Sequence, residues 1–121
     1  MLSDEPYYDS DLYGQASREL YHEFVQRYNP EGGVMTIINM LGYCHAMWWV
    51  QAVQAAGSTD TDKVMKVVDD PSWRFDWFGE ESWMGGIETF GIRRAVNIYM
   101  TFSEIIDGKV VPKTNHKVVI P

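Results

Sequence analysis

Apolar residues recur along the chain with two different periods, one close to four and, later, one of two. Leu12, Ala16, Leu20 and Phe24 follow one another every four residues beside Tyr13, Tyr21, Val25 and Tyr28, while Arg18, Glu19, His22, Glu23 and Arg27 supply a polar face. That spacing predicts an amphipathic helix over 10–28. Asp9 or Ser10 is its candidate cap, since a short side-chain oxygen accepts from the free amides of a first turn, and Asn29-Pro30-Glu31-Gly32-Gly33 ends it. From Val34 to Ala56 no residue is charged. The run predicts a long helix over 34–56, buried on most of its surface and closed by Gly57. A membrane span is disfavoured because Thr36, Asn39, His45, Gln51 and Gln54 are scattered around the helix and would meet few partners in hydrocarbon. Thr59-Asp60-Thr61-Asp62 has the form of a capping box with Thr59 as the cap, and Val64, Met65, Val67 and Val68 give the apolar face of a third helix over 61–69.

The period then shortens. Trp73, Phe75 and Trp77 alternate with Arg74 and Asp76, which predicts a strand over 73–78 closed by Gly79. A connection containing Gly85, Gly86 and Gly91 leads to Val96, Ile98, Met100 and Phe102, which share one side of a second strand over 95–102. Asp107-Gly108 between apolar pairs predicts a hairpin over 104–111, because both residues tolerate positive φ. The pattern is that of a helix-rich α/β chain with three helices and a few strands.

Length and composition narrow the picture further. At 121 residues, 45% hydrophobic and 22% charged, residues 1–121 read as a single domain or fragment with one core. The net charge of −7 opposes the phosphate backbone and disfavours nucleic acid as a partner. The amino terminus holds Asp4, Glu5 and Pro6 where an export signal has a basic start and an apolar run, so the sequence as it stands reads as lacking one.

Candidate chemistry is sparse. Cys44 is a lone cysteine, and His22, His45 and His116 lack the spacing that sets two ligands on one helix face, so neither a metal nor another cofactor is expected. Cys44 and His45 are adjacent, but consecutive helix residues point about 100° apart, which leaves a small buried thiol rather than a catalytic nucleophile. The carboxylates sit at helix ends and turns, where capping explains them. Trp48-Trp49 could line a ligand site, but at helical spacing beside Met47 and Val50 a packed core is the plainer reading. No catalytic residue is expected.

Several segments in order resemble a known family. Phe24-Val25-Gln26-Arg27-Tyr28 with Pro30, then Gly42-Tyr43, then Ala55-Ala56-Gly57-Ser58-Thr59-Asp60 and Ile106-Asp107-Gly108-Lys109 look like the late part of type I periplasmic substrate-binding proteins, the receptors of branched-chain amino acid ABC transporters. The resemblance covers most of residues 12–111. It implies a fragment or truncated product of a longer chain with two Rossmann-like lobes, which in that family is periplasmic or extracellular, binds a small solute such as an amino acid, and delivers it to an ABC permease. It also places Ile38 and Asn39 near the bound side chain; for Ile38 a buried helix position is the competing reading. The alternative to a receptor is a small helix-rich interaction or oligomerisation module that has lost the cleft. Strands 73–78 and 95–102, without the partner strands of a complete lobe, would expose Trp73, Phe75, Trp77, Ile98 and Phe102, so a homo-oligomer built through these strands is expected of the isolated chain.

Overall fold

The computed structural model describes residues 10–28 and 37–121. They form a small mixed α/β structure with four helices: α1 (Gln15–Tyr28), α2 (Ile37–Ala56), α3 (Thr61–Asp69) and the single turn α4 (Ile87–Phe90). The strands are β1 (Phe75–Trp77), β2 (Glu80–Ser82), β3 (Met84–Gly85), β4 (Ala95–Val96), β5 (Tyr99–Ile106) and β6 (Lys109–Lys117). They pair in three separate two-stranded antiparallel sheets, β1–β2, β3–β4 and β5–β6. Among the described residues there is no parallel sheet of the kind a Rossmann-like lobe contains.

Helix α1 begins at Gln15, later than the apolar period implies. Ser10 closes a preceding turn instead, its carbonyl accepting from the Tyr13 amide at 3.0 Å and its Oγ from Leu12 at 3.2 Å. The first free amide of α1, Gly14, donates to Glu80 Oε1 at 3.0 Å, so a side chain distant in sequence supplies the cap. Asp9 and residues 29–36 lie outside the described residues. The inward side of α1 is centred on Ser17 and Tyr21, with Leu20, Phe24 and Val25 half-buried, whereas Ala16 is exposed. Ser17 replaces Ala16 because a hydroxyl is needed there: its Oγ donates to the Phe78 carbonyl at 2.5 Å.

Helix α2 is not buried on most of its surface. Cys44 and Ala52 are inside, Met40, Leu41, Trp48, Val53 and Ala56 are partly covered, and Tyr43, Trp49 and Val50 are exposed. Its main packing partners are α3 and β1. Against α3 the contact is dry, with Ala52, Val64 and Val68 fully buried. The cap of α3 is Asp60 rather than Thr59: its carboxylate accepts from the Lys63 amide at 3.1 Å, and Ser58 Oγ in turn holds the Asp60 amide. Aspartate at this position combines the short acceptor with negative charge at the positive end of the helix. At the other end Asp69 is paired with Arg94, which holds its carboxyl below the usual range.

β1 is shorter than the alternation predicts and turns back at once. Phe78 (φ 55°) and Gly79 (φ 78°) form the two-residue connection to β2, both in the left-handed region that matches strand twist in tight hairpins. Phe75 and Trp77 are consequently buried, not displayed to a second chain. They belong to an aromatic series in which Trp48 contacts Trp73, Trp73 contacts Phe75 and Phe75 contacts Trp77, with centroids 6.3, 4.7 and 6.4 Å apart. Gln51 joins this strand to α2 by imitating a neighbouring strand: Oε1 accepts from the Asp76 amide at 2.7 Å and Nε2 donates to the Asp76 carbonyl at 3.0 Å.

The strand expected over 95–102 is divided. Asn97 is fully buried between β4 and β5, where its amide reaches the Trp83 carbonyl, its carbonyl accepts from Ser82 Oγ at 2.6 Å, and its Oδ1 accepts from Ile120 at 2.7 Å. These bonds satisfy the backbone at the break and turn the chain from one sheet into the next. Val96 and Ile98 are therefore half-buried, while Met100 and Phe102 are exposed. The hairpin turn at Asp107 (φ 52°) and Gly108 (φ 77°) sits where predicted, but its arms extend over 99–117.

At Gly79 a Cβ would lie 2.4 Å from the Ser17 backbone nitrogen, in addition to the cost of positive φ. Gly79→Ala is expected to lower the free energy of unfolding by about 2–4 kcal/mol, measured by urea titration. Asp69 gives a pH-dependent case: its folded pKa is depressed, so its stabilisation is present above the unfolded value of about 3.9 and is lost as pH falls through the folded value. The pair is half exposed, so Asp69→Asn should cost under about 1 kcal/mol at neutral pH, and the difference from the parent protein should vanish in strong acid and shrink in high salt.

Candidate functional site

A cavity of about 360 Å³ opens where α1, the start of α2, the β1–β2 turn and β5 meet. Met40, Leu41, Trp77, Phe78 and Ile98 form an apolar floor. Tyr13, Ser17, Glu80, Tyr99 and Thr101 bring polar atoms to it. Each wall has a local cause: Met40 and Leu41 lie in the first turns of α2, Trp77 points inward from β1 by strand alternation, and Glu80 is placed by the tight turn that precedes it.

The polar side is partly tied together. Thr101 Oγ1 donates to the Tyr13 hydroxyl at 2.6 Å, and Asn115 Nδ2 donates to the Leu12 carbonyl at 3.2 Å, which fastens the β5–β6 hairpin to the approach of α1. Ser17 is used by Phe78, and one oxygen of Glu80 by Gly14. Trp77 is different. It is only 6% exposed, it lines the cavity, and its buried Nε1 has no hydrogen-bond partner among the described residues. A buried donor without an acceptor costs free energy unless something else supplies one. The His45 ring fixes the indole from the side, edge-on at 5.2 Å.

The cavity combines an apolar floor and one carboxylate. That set suits a small molecule carrying an apolar part and a cationic donor for Glu80. Beside it, Lys117 Nζ lies 4.5 Å from the Tyr99 ring centroid and 4.8 Å from that of Trp83, and donates to the Glu81 carbonyl. Burial lowers its pKa, against the nearby charges of Glu80 and Glu81. A second, smaller groove of about 150 Å³ lies along α1 and shares Phe78 with the first.

The residues singled out from sequence fare unevenly. Ile38 is 77% exposed at the start of α2, which excludes the buried-helix reading, and Asn39 is exposed beside it. Neither lines the cavity; their neighbours Met40 and Leu41 do. The helix turns about 100° per residue, so a shift of two positions moves a side chain from the outer face to the inner one. Trp77 and Glu80 were not anticipated as site residues. Their only sequence signal was position on either side of Phe78-Gly79.

Cys44 is 1% exposed, and burial, reinforced by the charge of Asp76, pushes its thiol up to about 12. His45 is directed elsewhere, with Nδ1 2.7 Å from the Leu41 carbonyl. Trp48 packs into the aromatic series and Trp49 stays exposed, so the pair forms no joint ligand wall. Among the described residues no three His, Cys, Asp or Glu side chains gather as a metal site. No described helix is long and apolar enough to cross a membrane. Comparison with protein-family models, curated proteins and solved structures gave no match.

Because the folded thiol is held protonated, Cys44 should resist alkylation at mildly alkaline pH and react on unfolding, as read by mass spectrometry. The sign of the linkage follows. The unfolded thiol ionises near 9.0 and the folded one near 12, so stability falls with rising pH across that interval by roughly 1.4 kcal/mol per unit, a component that Cys44→Ala removes.

Proposed function

We propose that the chain is part of a solute-binding receptor for amino acids or similar small solutes and contributes one wall of its cleft without catalysing a reaction. The supporting observation is the cavity floored by Met40, Leu41 and Trp77 and lined by the Glu80 carboxylate. A zwitterion with an apolar side chain would suit it: its ammonium meets the carboxylate while its side chain covers the apolar floor. The ordered resemblance of residues 12–111 to type I periplasmic substrate-binding proteins agrees with this reading. In this proposal the complete receptor works in the periplasm or outside the cell and hands its solute to an ABC permease. Ile38 and Asn39 then stand at the cleft margin, where a second lobe would close.

The second reading, an interaction or oligomerisation module, is favoured by a separate feature. The β5–β6 hairpin carries exposed Phe102, Ile105 and Ile106.

One wall cannot bury most of a small ligand, so binding by the 121-residue chain is expected to be in the millimolar range at best. Titration with leucine, followed by methyl resonances of Met40, Leu41 and Ile98 and the indole resonance of Trp77, should show selective shifts. Glu80→Gln should weaken them at least about fivefold, as should removal of the ligand's ammonium group in 4-methylpentanoate. No selective shift with any of a panel of amino acids would refute the receptor reading, and micromolar binding would refute the single-wall account.

A further inference from the structure

We propose that the open edge of β5 is a self-association surface, where residues 100–106 pair antiparallel with the same residues of a second copy about a two-fold axis at Ser103. The two edges of the β5–β6 hairpin are built differently. β6 carries Lys109, Lys113 and Lys117, Pro112, and a bulge: Phe102 faces Thr114 while Ser103 faces Pro112, leaving Lys113 as the extra residue. Lysine, proline and a bulge are the devices that keep a strand edge from pairing. Residues 102–106 of β5 have none of them. Their one charge, Glu104, is met by Lys113 of the same hairpin at 3.5 Å. Phe102 is 58% and Ile105 72% exposed, and among the described residues no backbone group outside the hairpin bonds to this stretch.

Charge and register select a second copy as the occupant. Residues 99–117 hold three lysines against Glu104 and Asp107, whereas the whole chain carries −7, so the hairpin is where two acidic copies approach with least repulsion. With Ser103 opposite its counterpart, Phe102 faces Glu104 and Met100 faces Ile106, which keeps the two glutamates off one another. Met100, Phe102 and Ile106 of both copies then share one face of a four-stranded sheet with Glu104, which is met by Lys113 of its own hairpin. The interaction is closed by its own symmetry, so it stops at a dimer. Residues 102–106 lie outside the cavity, whereas Met100 and Thr101, which face Ile106 and Ile105 of the second copy, also line it, so the association face adjoins the cavity.

Light scattering on the chain across the micromolar range tests it, with twice the 14.0 kDa chain mass expected. Ile105→Lys should raise the dimer dissociation constant at least about tenfold, whereas Thr114→Lys, which adds the same charge on β6, should leave it within about twofold. Both positions are exposed, and unchanged far-UV dichroism checks folding. Mild oxidation of Ser103→Cys should yield a covalent dimer, with Cys44 too buried to compete. A monomer at every concentration would overturn the proposal, as would a dimer that neither Ile105→Lys weakens nor Ser103→Cys captures.

Discussion

The contact on which the remaining architecture depends is the seating of the Phe78–Gly79 turn against the first turn of α1. Both residues occupy the left-handed region, the Ser17 hydroxyl holds the Phe78 carbonyl, and Gly79 approaches so closely that no side chain fits between it and Ser17. Glu80, next along the chain, caps the helix through Gly14. Three consecutive residues thus join a helix to a hairpin more than 60 positions away. The exchange is favourable because each bond satisfies a group that would otherwise be left unpaired.

From that junction the structure extends in two directions. Toward α2 and α3 it is apolar and aromatic, with Gln51 binding the β1 backbone and Val64, Val68 and Ala52 sealing the helix pair. Toward the carboxy-terminal hairpin it becomes more polar, held by Thr101, Tyr13 and Asn115. The cavity lies between these regimes. Its floor, which includes Trp77, is continuous with the aromatic core, and its rim with the polar fastening.

The same division bears on what the chain can do. Among the described residues Cys44 is a buried, protonated thiol and the aromatic series is used for packing. Among the described residues the indole donors of Trp48 and Trp77, Arg18 Nε and Asn97 Nδ2 are buried without a hydrogen-bond partner, and the β5 edge lacks the usual protection.

Local features were legible in the amino-acid order because they depend on short-range sterics and periodicity. Val64 and Val68 mark the buried face of α3, Gly57 ends α2, and Asp107-Gly108 forms the hairpin turn, since each depends on residues within a few positions. The cap of α1 was not legible, because Glu80 reaches it only after folding. The break at Asn97 was hidden for a similar reason: apolar alternation continues through it, and only its tertiary bonds to Ser82, Trp83 and Ile120 end the strand. The cavity was hidden most completely, since Trp77 from β1, Met40 from α2 and Thr101 from β5 share no sequence pattern. Residue order by itself determined α3 and the Asp107-Gly108 turn. Tertiary structure decided which sides the other elements bury and which donors remain unused, because burial depends on what distant segments cover.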